Sequence, residues 1–460
     1  MRETRTIESM NQTENEQFNL PKNLGDGLTL RWATADDVEE LAAFNVRIHT
    51  DDLKKPETWL ARWTEDLMRG DHPTTNASDF TLVVDESATG KIVSSMNLIS
   101  QTWLYEGVPI AVGRPELVGT DSAYRRHGLI RTQFERIHAK SAARGELVQA
   151  ITGIPWYYRQ FGYGMALDLG GGRTFLWNRP GNDKAVDVEK EAYRIRPAVA
   201  ADWATLQTLY EANNRGSLIS RARDEAAWQY ELTIPNPESM YARQFLLVET
   251  AVSPSKPIAY VEYKQWGKTY SVRELGVLSG HSWRAVGLFL MRHFQKMAAD
   301  LQEKKGKQLH GVTFILGQAH PIYEALGSQL EKQKRPYAWF IRVPDIPAFL
   351  RHIHPVLEQR LAASVLAGHS GTSKLNLYQQ HLSLRFESGK LKEVGSYTPK
   401  RIEDGDIYFP GTTFLQLVFG HATLDELNAV HADCHARNVE AAVLFNILFP
   451  KKPSWLVPLG

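Results

Sequence analysis

The sequence has a single cysteine, Cys434, so no intrachain disulfide can form and a thiolate metal site has no partners. That scarcity leads us to expect a cytosolic protein. No stretch approaches the roughly 18 consecutive apolar residues of a membrane helix. Met1 to Asn19, rich in Glu, Thr, Asn and Gln, carries no apolar segment of the kind a secretion signal needs. Residues 1–24 are therefore expected to form a disordered tail. Charge of one sign is also missing: 53 Lys and Arg against 52 Asp and Glu leave +1. Such a balance sets up no long-range field for a nucleic acid or an anionic membrane. Neither is expected as a partner, and any phosphate recognition has to be local. The 43% hydrophobic and 23% charged content is that of ordinary globular chains, and 460 residues suggest about three domains.

The first organising feature is internal similarity. Leu30-Arg31-Trp32-Ala33-Thr34-Ala35-Asp36-Asp37 is echoed 165 residues later by Ile195-Arg196-Pro197-Ala198-Val199-Ala200-Ala201-Asp202. Each copy runs from a strand through a turn into an amphipathic helix, with Val38, Leu41 and Ala42 matched by Trp203, Leu206 and Tyr210. The same displacement carries Phe80-Thr81-Leu82-Val83 onto Phe245-Leu246-Leu247-Val248. It also carries Tyr158 and Gly162 onto Tyr323 and Gly327. We expect two related α/β units, residues 25–185 and 186–345. A third domain, 346–460, is expected to have a helix from Phe349 to Leu366, strands near Leu375 and Leu382–Phe386, and helices at 413–419, 424–431 and 439–449. Its apolar ending, Trp455-Leu456-Val457-Pro458-Leu459-Gly460, needs a groove to enter.

One region breaks the internal symmetry. Glu116 to Thr120 predicts a strand, Asp121 to His127 its exit loop, and Leu129, Phe134, Ile137 and His138 one face of the next helix. A helix start gathers unpaired N–H groups and the positive end of the dipole. Gly128 lets the backbone approach a diphosphate, and Arg125, Arg126 and Arg131 add charge. An ordinary basic loop is the plain alternative. The second copy lacks the doubled arginine and is not expected to hold phosphate. Gly170-Gly171-Gly172 precedes no helix and predicts a bend. His431-x-x-Cys434-His435 has no second ligand pair, so no metal is expected.

Arg125-Arg126-His127-Gly128-Leu129-Ile130-Arg131, followed 30 residues later by Tyr158-Arg159-Gln160-Phe161-Gly162-Tyr163-Gly164, resembles the GCN5-related N-acetyltransferases (GNAT). Within them it is most similar to the enhanced-intracellular-survival type. Ile130 stands where the family pattern has a small residue. The resemblance implies an α/β fold with tandem GNAT-type units, the second degenerate, and a sterol-carrier-like C-terminal domain that returns the chain terminus to the active site. It implies acetyl-coenzyme A as co-substrate, bound by Val118, Gly119, Thr120, Arg125, Arg126, His127, Gly128, Leu129 and Ile130. The acceptor it implies is a primary amine of a polycationic small molecule. It also implies a homo-oligomer, hexamers included.

Direct acetyl transfer needs a neutral amine, a stabilised oxyanion and a proton for the leaving thiolate. Tyr158 is the expected general acid; a core aromatic is the plain alternative. The resemblance points to the terminal carboxylate of Gly460 as the base, with Glu116 as the second candidate. A rival reading makes the protein a non-catalytic binder of an apolar ligand with vestigial transferase units.

Overall fold

Two positive φ angles, at Asp26 (50°) and Gly27 (76°), turn β1 (Lys22–Gly25) back onto β2 (Leu28–Trp32). This is the Asp-Gly hairpin turn whose twist matches that of its strands. The tail expected over residues 1–24 therefore ends sooner, since Lys22 already pairs with Leu30. The computed structural model describes residues 20–52, 54–88, 90–180, 182, 192–234, 238–401 and 403–457. Residues 1–19 of that expected tail lie outside them.

Three sheets carry the fold. The first runs β1, β2, β3 (Phe80–Asp85), β4 (Lys91–Tyr105), β5 (Val108–Thr120) and β6 (Val148–Ile151). It then continues through β15 (Tyr337–Arg342) to β7 (Gly164–Leu169), and β10 (Ile219–Arg221) pairs with the far end of β4. The second sheet runs β8 (Arg173–Leu176), β14 (Gly311–Phe314), β13 (Thr269–Val277), β12 (Pro257–Trp266), β11 (Gln244–Thr250) and β9 (Tyr193–Pro197). The mixed α/β class with repeated sheets is as expected. The two units are nevertheless not the contiguous segments 25–185 and 186–345. β8 leaves the first unit to pair with β14, while β15 leaves the second to lie between β6 and β7.

The crossing point explains the glycine triplet. Gly170, Gly171 and Gly172 have φ of 68°, 77° and 141°, conformations open to residues without a Cβ. A Cβ on Gly171 would lie 2.8 Å from the nitrogen of Pro336, just before β15. The two exchanged segments pass each other there, at a backbone separation that only glycine allows.

The duplication is visible down to side chains. Asp37 accepts from the Arg31 guanidinium (2.8 Å) and from the Thr34 N–H (2.7 Å) at the entry to α1 (Val38–His49). Asp202 accepts from Arg196 (2.7 Å) and the Val199 N–H (2.8 Å) at the entry to α4 (Trp203–Asn214). The first unit adds α2 (Trp59–Met68) and α3 (Leu129–Ala143); the second adds α5 (Glu225–Thr233), α6 (Trp283–Lys305) and α7 (Pro321–Leu326).

Beyond α8 (Ile346–His352) and α9 (His354–Ala362), a four-stranded sheet is built from β16 (Gly371–Asn376), β17 (His381–Glu387), β18 (Lys390–Ser396) and β19 (Ile407–Tyr408). It is followed by α10 (Thr413–Val418), α11 (Leu424–Val430) and α12 (Val439–Leu448). This part shares one continuous apolar core with the first sheet, in which Trp103, Val112 and Trp339 join Phe349, Leu417 and Phe445. The Tyr105 hydroxyl donates to the Val418 carbonyl at 2.6 Å across the junction. Burial on that scale fixes the C-terminal part rigidly against the first unit.

Candidate active site

The first unit opens a gap in its own sheet. β5 and β6 pair only at Val112–Val148 and Gly113–Gln149. Further on, β5 is held by β4 alone. Its register slips between the Ser95–Gly119 and Asn97–Glu116 pairs, where Leu117 takes φ +51° as a bulge. One edge of residues 114–120 thus presents backbone groups with no strand beside them among the described residues, a surface on which an extended amide-bearing ligand can lie. Gly119 has a packing reason as well: a Cβ there would come within 2.8 Å of Ile48 at the end of α1.

The strand leads into the arginine-glycine loop. Arg126 and Gly128 have φ of 70° and 75°, and Gly128 is the N-cap of the 15-residue α3. Arg125, Arg126, His127 and Gly128 are all exposed, and a Cβ at Gly128 would meet nothing within 4 Å. Glycine is required here by backbone conformation, not by crowding. The Arg125 Nε donates to the Thr120 carbonyl (3.4 Å), and Arg131 lies over Phe161 (5.5 Å). Arg126 and His127 make no hydrogen bond or ion pair among the described residues. Open helix-start amides beside the uncommitted Arg126 guanidinium fit the diphosphate of a coenzyme A.

Tyr158 lies in a short 3-10 turn, Tyr157–Phe161, between Trp156 (φ 66°) and Gly162 (φ 85°). Its ring is 4% exposed and meets Phe134 of α3 at 6.2 Å and Phe340 of β15 at 5.6 Å. Val118 and Ile130 pack against this same aromatic cluster. The edge of the strand, the first turn of the helix and the tyrosine therefore meet. Ile130 departs from the family pattern yet packs inward, against that cluster. Leu129 faces a different core, with Leu28, Leu30 and Val83.

The Tyr158 hydroxyl makes no hydrogen bond among the described residues, and a Cβ at Gly153 would lie 3.3 Å from it. Burial pushes the phenol well above its ordinary pKa, and the nearby Glu116 carboxylate pushes the same way. Tyr158 is therefore a neutral donor throughout the physiological range.

Glu116 is itself buried and paired with Arg114, a guanidinium with no exposed surface that lies 4.9 Å over the Trp339 ring. Burial raises the Glu116 pKa and Arg114 opposes it. Gly460 falls outside the described residues. The chain can be followed to Val457, and Lys451 to Val457 line a cavity of about 560 Å³ against the second unit. Phe340 and Trp339, brought in by the exchanged β15, were not legible as site residues. Nothing in the sequence near Tyr337 announces that this strand joins the other sheet.

Residues 31–166 match the family model of an acetyltransferase (GNAT) domain. The match covers the gap, the loop and the tyrosine. Over 93% of the chain the fold is similar to that of solved GCN5-related N-acetyltransferases. One from Anabaena variabilis has a TM-score of 0.64 at 14% identity and covers 93% of this chain and 98% of its own. One from Kribbella flavida has a TM-score of 0.61 at 17% identity, covering 93% and 97%. Eis1 from Mycobacterium abscessus has a TM-score of 0.56 at 16% identity, covering 94% and 100%. No protein of curated function matches the sequence.

Proposed function

We propose that the protein transfers acetyl from acetyl-coenzyme A to a primary amine of a polycationic small molecule, an aminoglycoside-like compound or a polyamine. The observation that carries this reading is the meeting of the β5 edge, the Gly128 helix start and the unpartnered Tyr158 hydroxyl around one gap. Arg125, Arg126, His127 and the amides after Gly128 would hold the diphosphate, and the open edge at Val118 to Thr120 the pantetheine arm. Coenzyme A supplies the thioester and the leaving thiolate.

In the transfer, the amine nitrogen bonds to the carbonyl carbon and the carbon–sulfur bond breaks. Tyr158 donates its hydrogen to the departing sulfur. Burial disfavours a lasting phenolate, so the phenol regains a proton as the acylated nitrogen sheds one. The base, either Glu116 or the terminal carboxylate of Gly460, takes the earlier proton, the one the ammonium loses before its nitrogen attacks. Of these, Glu116 is a carboxyl whose proton affinity is raised by burial, with the paired Arg114 opposing that shift. A sterol-carrier-like character of the C-terminal part and a homo-oligomeric assembly belong to the same proposal and rest on the resemblance; a cytosolic setting belongs to it too and rests on the scarcity of cysteine.

The test is a panel of polyamines and aminoglycosides incubated with acetyl-coenzyme A, followed by release of free thiol and mass of the product. Acetylated amine with stoichiometric thiol supports the reading. No transfer, with a lipid co-purifying, would favour the binder instead.

A further inference from the structure

The second unit repeats the gap of the first. β13 and β14 pair from Thr269–Gly311 to Val272–Phe314 and then part, and β13 carries a register shift between Glu262–Glu274 and Tyr263–Val272. This is the position of the Asn97–Glu116 slip in the first unit. Gly276 lies under Asn213 near the end of α4 (3.1 Å to a virtual Cβ), as Gly119 lies under Ile48 near the end of α1. The two clefts are therefore counterparts, and the cavity of about 560 Å³ is the second one.

What differs is the filling. The last β13–β14 link is the Ile315 N–H to the Val272 carbonyl (2.8 Å). The next carbonyl, Arg273, accepts the indole N–H of Trp455 at 2.7 Å. The indole continues over Gly317, where a Cβ would stand 3.4 Å away. Pro453 accepts from the Leu218 N–H (2.8 Å) and the Ser454 hydroxyl from the Ile219 N–H (3.1 Å), while Leu456 is buried in the core shared with the first sheet. The loop that would hold a phosphate here, Leu278 to Ser282, has no arginine. The nearest one, Arg284, is spent on the Ala325 carbonyl at 2.7 Å.

We propose that the cleft of the second unit is a receptor for the chain's own C-terminal segment, Pro453–Val457, anchored by Trp455 where the sheet parts. The segment takes the place that a coenzyme arm takes in the first unit, so the protein binds one coenzyme A per chain. The stoichiometry rests on the acetyl-transfer reading; the docking does not.

The test uses the full chain carrying Trp455→Ala, with Trp266→Ala, an exposed tryptophan on β12, as control. Hydrogen exchange is followed on the Leu218 and Ile219 amides. Exchange there is expected to rise about tenfold or more in Trp455→Ala and to stay unchanged in the control. Unchanged exchange in Trp455→Ala overturns the docking. If that variant does not fold, Trp455→Phe, which keeps the bulk and loses the N–H, decides on the same amides in the same way. Equilibrium dialysis of the wild type gives the stoichiometry: one coenzyme A per chain supports the proposal, and two overturn the exclusion. No binding at all would sink the acetyl-transfer reading while the exchange experiment still decides the docking.

Discussion

The two units share a bulged strand, a parted sheet and a Tyr-x-x-x-Gly turn, yet they surround those features with opposite chemistry. In the first, the turn's tyrosine has a hydroxyl with no hydrogen bond among the described residues, and the loop before the helix is exposed and carries Arg125 and Arg126. In the second, the Tyr323 hydroxyl accepts from the Leu316 N–H at 3.2 Å, and a tryptophan of the same chain satisfies the open strand. The scaffold alone thus does not distinguish the units. Function follows from which polar groups are left without an internal partner.

The sharpest way to break the comparison is at the paired tyrosines. Tyr158→Phe is expected to lower turnover about a hundredfold while coenzyme A affinity holds, because the donor is lost and the ring stays. Tyr323→Phe should leave turnover unchanged. Steady-state kinetics with a separate coenzyme A titration checks both, and equal effects would erase the distinction between the units. A paired glycine exchange comes next. Gly128→Ala forces a Cβ onto a left-handed residue, at a strain of about 1–2 kcal/mol. We expect the affinity for coenzyme A to fall about tenfold. Gly280→Ala, at φ 89° and with equal open space, should cost comparable stability and no affinity. Arg126→Ala is milder. Losing one exposed charge-assisted contact should weaken coenzyme A binding about fivefold and flatten its dependence on ionic strength. Calorimetric titration at two salt concentrations separates that from a loss of fold.

Much of this contrast is legible in the sequence. The displacement of 165 residues located both units because the Arg31–Asp37 and Arg196–Asp202 pairs and their helix entries are local, fixed by residues within one turn of each other. The helix start at Gly128 was legible for the same reason. The Asp26-Gly27 hairpin is also written locally, in an Asp-Gly pair whose positive φ angles make the turn. The exchange of β8 and β15 was not legible. Both strands carry ordinary alternating or apolar patterns that suit either sheet, and the crossing shows only in space, where Gly171 and Pro336 approach closely. Nor did the sequence place the tail. Its apolar character demanded a groove, but two counterpart clefts are present, and the apolar pattern alone does not tell them apart.

The smallest expected effect compares the units through acid. In the second unit, His320 closes the cleft wall: its Nδ1 accepts from the Ile322 N–H (3.3 Å) at the start of α7, and its Nε2 lies 3.2 Å from the Leu275 carbonyl. Both contacts are made at once only by the neutral ring that carries its hydrogen on Nε2. Burial holds the pKa at about 4, below the ordinary 6.5. The folded state thus binds fewer protons than the unfolded one between those values, and its stability falls as pH drops through 6.5 toward 4. From pH 7 to pH 6 the loss assigned to His320 is about half a kcal/mol, or about 1–2 °C in the melting temperature. His320→Asn should remove that share of the slope. His138, which lies beside Tyr163 in the first unit with its pKa also depressed by burial, to about 3, should keep its own share. Melting curves at the two pH values, with and without the substitution, check it. An unaltered slope in His320→Asn would mean that the wall of the second cleft admits the charged ring, and that the tail closes it less tightly than its hydrogen bonds suggest.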